Sequence, residues 1–297
     1  MMREPPFSLL QRPAPFSLGG KRVLVLGLGD TGMSVTRWVE SEGGEVRGAD
    51  TRRTGPFQPA LLEGVDLVAI SPGLSLAEPI VAEARARGIP VVGDIELFAW
   101  HVRAKTKSKV VAITGTNGKT TVTALTGHLL RSAGVDAEAA GNISPAALAS
   151  LLVRKKKAPA VWVLELSSYQ LETTWSLAAD AAAMLNLTED HLDRYAGLAD
   201  YGAAKARVFL GAGVQVLNRD DPHSMAMARE GARMTFGLDA PRQAWDFGVS
   251  EGHLVQGGRD IVPADALPIH GEHNVANALA ACALALAMGV PFEALGK

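Results

Sequence analysis

The segment Gly115-Thr-Asn-Gly-Lys-Thr-Thr121 carries the most specific chemistry in this 297-residue sequence. It follows the apolar run Val110-Val-Ala-Ile113 and precedes an amphipathic stretch over 122–133. A glycine loop between a strand and a helix offers backbone N–H groups to phosphate. Lys119 would neutralise the β- and γ-phosphates and the Thr120 hydroxyl would reach Mg²⁺, so a nucleoside triphosphate is the expected ligand. The leading glycine stands three residues before Gly118 where a strict Walker A loop has five, and a structural turn is the alternative. A second loop fits G-x-G-x-x-G as Gly27, Gly29 and Gly32, with Asp50 21 residues after Gly29. Its glycines would admit phosphate and its carboxylate would take ribose hydroxyls; a tight turn without ligand is the other reading.

Phosphoryl transfer also needs groups that hold metal. Glu165 ends the apolar run Val161-Trp-Val-Leu164, so it is expected at the carboxyl edge of a sheet, where α/β ligands sit. A carboxylate in a buried strand is costly unless paired or metal-bound, and a structural salt bridge is the alternative. Asn186-Leu-Thr-Glu-Asp-His-Leu-Asp193 places three carboxylates around His191, which serves equally as a metal ligand or a cap partner. Lys205, within Tyr201-Gly-Ala-Ala-Lys-Ala-Arg207, reads by itself as a surface helix lysine.

The elements that must carry these groups follow from hydrophobic periodicity. Strands are expected at 22–26, 45–49, 65–70, 89–92, 110–113, 160–166, 181–187 and 214–217, with helices over 33–42, 77–87, 122–133 and 272–288. Strand alternating with helix defines an α/β fold: an N-terminal Rossmann-like doubly wound sheet, then a P-loop-type α/β ATPase domain with a small added β-hairpin region over 245–269. The basic stretch 101–109 reads as a polar linker, dividing the chain into domains 1–104 and 105–297. Trp100, Trp162 and Trp245 are expected in packing roles.

Composition narrows the function class. Twenty-nine Lys and Arg against 31 Asp and Glu give a net charge of −2, against a nucleic-acid scaffold. The lone Cys282 cannot form an internal disulfide, which favours a reducing compartment. The apolar run 276–290 contains Asn277 and falls short of the ~18 residues of a membrane span. Glu4, Pro5, Pro6 and Pro13 do not form a signal segment, so a cytoplasmic protein without membrane partners is expected.

Taken together, Gly115 to Thr121, Leu164-Glu-Leu-Ser-Ser168, Asn186-x-x-x-Asp190-His191 and His273-Asn-x-x-Asn277 resemble the Mur ligases, ATP-dependent amide ligases of peptidoglycan synthesis. Asp50-Thr-Arg52, Ser71-Pro-Gly73, Gly93-Asp-Ile-Glu-Leu-Phe98 and Ser167-Ser-Tyr-Gln-Leu-Glu172 are similar to the D-glutamate-adding branch. The resemblance implies UDP-N-acetylmuramoyl-L-alanine, D-glutamate and ATP as substrates, Mg²⁺ at two sites, and a monomer. It implies that Asp30, Thr31, Asp50, Thr51, Arg52, Ser71, Pro72 and Gly73 hold the UDP part of the substrate. Asn142, Ser167 and His191 would contact substrate between the domains. Gly115, Thr116, Asn117, Gly118, Lys119, Thr120 and Thr121 would hold the ATP phosphates, with Asn274 and Asn277 near adenine. Thr120 and Glu165 would bind one Mg²⁺, His191 and a carbamylated Lys205 the second. Lys119, Asn142, Glu165, His191 and Lys205 form the implied catalytic set. The family also carries a third, C-terminal domain that nothing here matches, and Pro291 to Leu295 reads as the start of a helix. The expectation is therefore a chain that binds ligands but is weak or inactive as a ligase alone. Alternatives are another Mur ligase, a folylpolyglutamate synthetase-like ligase, a non-catalytic nucleotide-binding protein, or a dehydrogenase built on the first loop.

Overall fold

The structure is a computed structural model that describes residues 7, 10–155 and 157–296. Glu4, Pro5, Pro6 and Lys297 lie outside the described residues. The first unit comprises β1 (Arg22–Leu26), α1 (Asp30–Ser41), β2 (Glu45–Ala49), α2 (Thr51–Thr54), β3 (Leu67–Ile70), α3 (Pro79–Ala86), β4 (Val91–Val92) and α4 (Asp94–Lys105). Its four parallel strands run in the order β2-β1-β3-β4. The chain leaves β1 to one side and returns on the other, so the loops after β1 and β3 open a crevice at their carboxyl ends.

The second unit begins with β5 (Lys109–Thr114), α5 (Lys119–Ser132), β6 (Ala137–Gly141), α6 (Ala147–Arg154), β7 (Val161–Glu165), α7 (Ser168–Glu172) and β8 (Ala181–Met184). It continues with α8 (Leu198–Ala206), β9 (Val214–Asn218), α9 (Pro222–Ala226), β10 (Arg233–Phe236), β11 (Phe247–Ser250), β12 (His253–Gln256), β13 (Arg259–Pro263) and α10 (Glu272–Ala287). These nine strands form one sheet, β13-β12-β11-β10-β9-β8-β5-β7-β6. The strand order reverses about β5, which has β7 on one side and β8 on the other. Three strand ends therefore meet where a ligand site is expected. The hairpin region is as expected: β11, β12 and β13 are antiparallel, joined at Glu251-Gly252 and Gly257-Gly258, where every turn residue has positive φ. Two-residue turns of that kind match the twist of the strands they join.

The α/β architecture is the one read from sequence, with local differences: α4, β6, α6, α7 and β10 form where no element was expected. Residues 101–105 are not linker but the last turn of α4, because His101 and Val102 are buried and continue its apolar face. Residues 292–294 form a single 3₁₀ turn after Pro291. Trp100 and Trp162 are core residues, whereas Trp245 is 51% exposed and packs little.

Alternation along β5 distributes the core. Val111 and Ile113 point to a cluster with α5 and α10, while Val110 and Ala112 belong to a cluster that continues into the first unit. Helix α4 makes that continuity, with Phe98 edge-on to Trp162 at 5.2 Å. Its buried carboxylates are matched by the second unit. Glu96 accepts N–H groups of Trp175 (2.7 Å) and Ser176 (2.9 Å) and the Trp100 indole. Asp94 accepts from Gln170 Nε2 at 3.0 Å, yet its Oδ1 has no partner among the described residues, and burial pushes its carboxyl up to about 6.

A carboxyl raised in the folded state binds a proton there that the unfolded chain releases above about pH 4, so stability should fall as pH rises from about 4 to 6. Asp94→Asn, which keeps a Gln170 partner, should be level with wild type near pH 4. It should be more stable by about 1–3 kcal/mol at pH 7. Parallel pH–stability curves from denaturant titrations would refute this.

Candidate active site

The Gly27–Gly32 loop is shaped by two different demands on its glycines. Gly27 has φ +82°, and a Cβ on Gly32 would sit 1.8 Å from the Gly27 carbonyl, so helix and strand approach too closely for any side chain. Gly29 has nothing within 4 Å of a Cβ position and caps α1 in extended conformation. It is the position through which a ligand can approach the backbone. Asp30, Thr31, Asp50, Thr51, Arg52, Ser71, Pro72 and Gly73 all line one cavity of about 390 Å³ with Gly27 and Gly29. Asp50 is 3% exposed and organises this cavity: it accepts Leu28 N–H at 2.8 Å and two side-chain bonds from Arg52, which hold its carboxyl far below the usual range. A ribose would have to share those oxygens. Ser71 is tied to the loop through Oγ to the Gly27 carbonyl at 2.8 Å.

The second loop is clamped to the segment after β8. Asn117 N–H donates to Asn186 Oδ1 (2.8 Å), Asn186 Nδ2 donates to the Asn117 carbonyl (3.1 Å), and Thr116 N–H donates to the Asn186 carbonyl (2.9 Å). Gly118 has φ +82°, and a Cβ there would collide with Asn277 Oδ1 at 2.4 Å. Helix α5 starts at Lys119, so its first-turn N–H groups lack intrahelical acceptors, as an anion site requires. Asn117, Gly118 and Thr121 line a cavity of about 770 Å³ together with Asn274 and Asn277, whose side chains are joined at 3.2 Å.

The charged groups meet at the end of β5. Glu165 is 2% exposed; Thr120 Oγ1 donates to its Oε2 at 2.8 Å and Asn142 Nδ2 to its Oε1 at 2.9 Å. No salt bridge reaches this carboxylate among the described residues, which goes against the structural ion-pair reading. Lys119 Nζ is folded onto the carbonyls of Gly115 (2.9 Å) and Thr116 (2.8 Å). Lys205 Nζ reaches the same Gly115 carbonyl at 2.8 Å. Lys205 is 1% exposed, which overturns its reading as a surface lysine. Burial, reinforced by the charge of Lys119, brings its amine down to about 7. Burial likewise lowers Lys119, with Glu165 and Asp190 opposing.

His191 has φ +55° and a half-exposed ring 4.8 Å from that of Tyr169 and 5.9 Å from that of Tyr201. Backbone strain of this kind in a non-glycine residue concentrates at functional loops. Among the described residues no three His, Cys, Asp or Glu side chains form a ready metal cage. Ser167 caps α7 in a reciprocal capping box with Gln170. Sequence reading missed Tyr201, whose ring lies 4.7 Å from Lys205 Nζ, and Arg194, which follows the acidic cluster as its single cation.

Two crevices at the ends of parallel strands, the second with a glycine loop beside buried Glu165 and Lys205, mark an α/β fold of the nucleotide-site type. Residues 113–285 match the Mur ligase middle domain and residues 21–93 the Mur ligase MurD-like N-terminal domain. The chain belongs to the Mur ligase family. It is 52% identical to the UDP-N-acetylmuramoylalanine–D-glutamate ligase of Nitrosospira multiformis, over 94% of this chain and 65% of that protein. It is 48% identical to the ligase of the same name from Thiobacillus denitrificans, over 94% of this chain and 66% of that protein. The chain thus spans just under two thirds of the length of these curated relatives. A solved structure of UDP-N-acetylmuramate:L-alanyl-gamma-D-glutamyl-meso-diaminopimelate ligase from Neisseria meningitides shares the fold, with TM-score 0.64 at 19% identity, covering 94% of this chain and 98% of that one. No helix of the described residues is long and apolar enough to cross a membrane.

The glycine geometry gives a paired expectation. Gly32→Ala must separate α1 from β1 and should cost several kcal/mol, on the order of an overpacked core site. Gly29→Ala should cost less than about 1 kcal/mol, since only the weak preference for Gly over Ala at a cap is lost. Equal destabilisation of the two in thermal melts would contradict these assignments.

Proposed function

We propose that this chain carries the UDP-substrate site and the ATP site of an ATP-dependent ligase that joins D-glutamate to UDP-N-acetylmuramoyl-L-alanine. Residues 1–104 form the UDP-substrate domain and 105–297 the ATP domain. The observation that carries the reading is the convergence of the phosphate loop, buried Glu165 and low-pKa Lys205 at one strand end. The names of the relatives at 52% and 48% identity support the particular substrates.

The reaction has two balanced steps. A carboxylate oxygen of the muramoyl-alanine substrate attacks the γ-phosphorus, the bond to the β-phosphate oxygen breaks, and ADP leaves. The D-glutamate amine then attacks the acyl carbon, loses a proton, and inorganic phosphate departs with the electrons of the C–O bond. Lys119 leaves its two carbonyl partners to meet the γ-phosphate, offsetting charge as it develops. The N–H groups of the 115–121 loop hold the phosphates, and Asn274 and Asn277 approach adenine. Asp30, Thr31, Asp50, Thr51, Arg52 and the 71–73 loop hold the UDP moiety, while Asn142, Ser167 and His191 orient the substrate between the two units. Thr120 and Glu165 would hold one Mg²⁺, and His191 and Lys205, the latter as its carbamate, would hold another. When bound, these ions would supply neutralisation of the phosphate charge. The neutral amine is the form that adds CO₂, and the lowered pKa of Lys205 makes that form accessible near neutral pH; its carbamate would be an anion facing Lys119. The protein acts on this reading as a cytoplasmic monomer without nucleic-acid or membrane partners.

Calorimetric titration of the 297-residue chain should detect separate sites for UDP-N-acetylmuramoyl-L-alanine and for a MgATP analogue. Lys119→Ala should weaken the analogue by roughly ten- to a hundredfold, as expected for a lost charge-assisted contact, while the UDP ligand is unaffected. Intact-protein mass in bicarbonate should show one CO₂ increment that Lys205→Ala abolishes. With D-glutamate added, these residues alone should release phosphate slowly or not at all. Absence of UDP-ligand binding, or normal turnover, would refute the corresponding part of the reading.

A further inference from the structure

Among the described residues, one side chain joins the wall of the first cavity to the loop that bears His191. Arg194 Nη1 donates to the Pro72 carbonyl at 3.0 Å, across the boundary between the two units. Its Nη2 donates to Glu172 Oε2 at 2.5 Å, and the guanidinium lies over the Tyr169 ring, 4.1 Å from its centre. Tyr169 in turn contacts the His191 ring, and Arg194 N–H donates to the His191 carbonyl at 2.9 Å. The side chains of Arg194 and Glu172 are 11% and 5% exposed, so the fork is held in one geometry and shielded from solvent.

We propose that Arg194 is a positioning residue that sets the Ser71–Gly73 wall of the UDP cavity at the correct distance from the His191 loop. Its ligand class is a nucleoside diphosphate carrying a long acyl substituent, one that must reach from the first cavity to the His191 loop. This rests on the functional reading above. The argument is geometric. Pro72 lines the first cavity, and its carbonyl spends an acceptor on a residue of the second unit. Planar guanidinium can serve Pro72, Glu172 and Tyr169 together, whereas a lysine ammonium can hold one acceptor well but cannot reproduce the fork or the stacked face. A ligand confined to the first cavity does not sense its distance from the His191 loop; a ligand that bridges the cavity and the loop does. The Arg194 side chain bonds to Pro72 and Glu172 and stacks on Tyr169, and only its backbone meets His191, so its effect runs through that spacing.

The test compares three probes on the 297-residue chain: UDP alone, UDP-N-acetylmuramoyl-L-alanine, and a MgATP analogue. Arg194→Ala should weaken the bridging ligand about tenfold, the scale of one charge-assisted hydrogen bond, and leave UDP and the ATP analogue within about twofold. Arg194→Lys should fall in between. Glu172→Gln, which can still accept from the guanidinium, should stay close to wild type. Thermal melts run alongside; if Arg194→Ala is unfolded, Arg194→Lys is read in its place, with an expected loss of about threefold. Unchanged affinity for the bridging ligand overturns the proposal, and so does parallel weakening of all three probes, which marks a merely structural role. A wild-type chain that binds the bridging ligand no more tightly than UDP also overturns it while leaving the UDP site intact. A wild-type chain that binds neither UDP compound overturns the underlying reading as well.

Discussion

Charge buried at the carboxyl ends of β5 and β7 is the constraint around which the rest is arranged. Glu165 and Lys205 are both almost fully enclosed, yet they are not paired with each other. Each is answered by neutral groups: Thr120 and Asn142 on the carboxylate, the Gly115 carbonyl on the amine. Stability alone disfavours this, because an apolar pair of similar volume would avoid the desolvation cost. A sheet whose strand order reverses at β5 makes the arrangement possible. There the ends of β5, β7 and β8 deliver a phosphate loop, a carboxylate and the His191 segment to one place without long connections.

The two units depend on each other through the same kind of chemistry. Glu96 lies in the first unit but caps backbone N–H groups of the second, and Asp94 is held by Gln170 from α7. Phe98 and Trp162 make the apolar part of that joint. Because α7 also carries the Ser167 cap and the Glu172 partner of Arg194, contacts at the joint and contacts at the candidate site share one short helix. Chemistry that spans two cavities needs such a joint, since reacting groups misplaced by 1 Å lose much of their rate advantage.

Much of the fold was legible in the sequence because buried parallel strands are continuous apolar runs and glycine loops punctuate them. The strands at 22–26, 110–113 and 161–165 were readable for that reason, and the hairpins for the glycines at Gly252 and Gly257-Gly258. β6, Ala137–Gly141, was not, since Ala-Glu-Ala-Ala-Gly has weak β-propensity and is a strand because it pairs with β7. The end of α4 was misread as linker because lysines mask the buried face of His101 and Val102.

The sequence by itself determined the phosphate loop, the glycine crevice and Glu165 at a strand end, because each depends on neighbours within a few residues. Only tertiary structure decided Lys205 and Arg194. A lysine in a helix of alanines has the same local pattern whether it faces water or a carbonyl 90 positions away. An arginine after an acidic cluster likewise gives no sign that the carbonyl of Pro72, 122 residues earlier, will accept its hydrogen bond. Burial and pairing across such separations arise when the sheets close, and no local spacing encodes them.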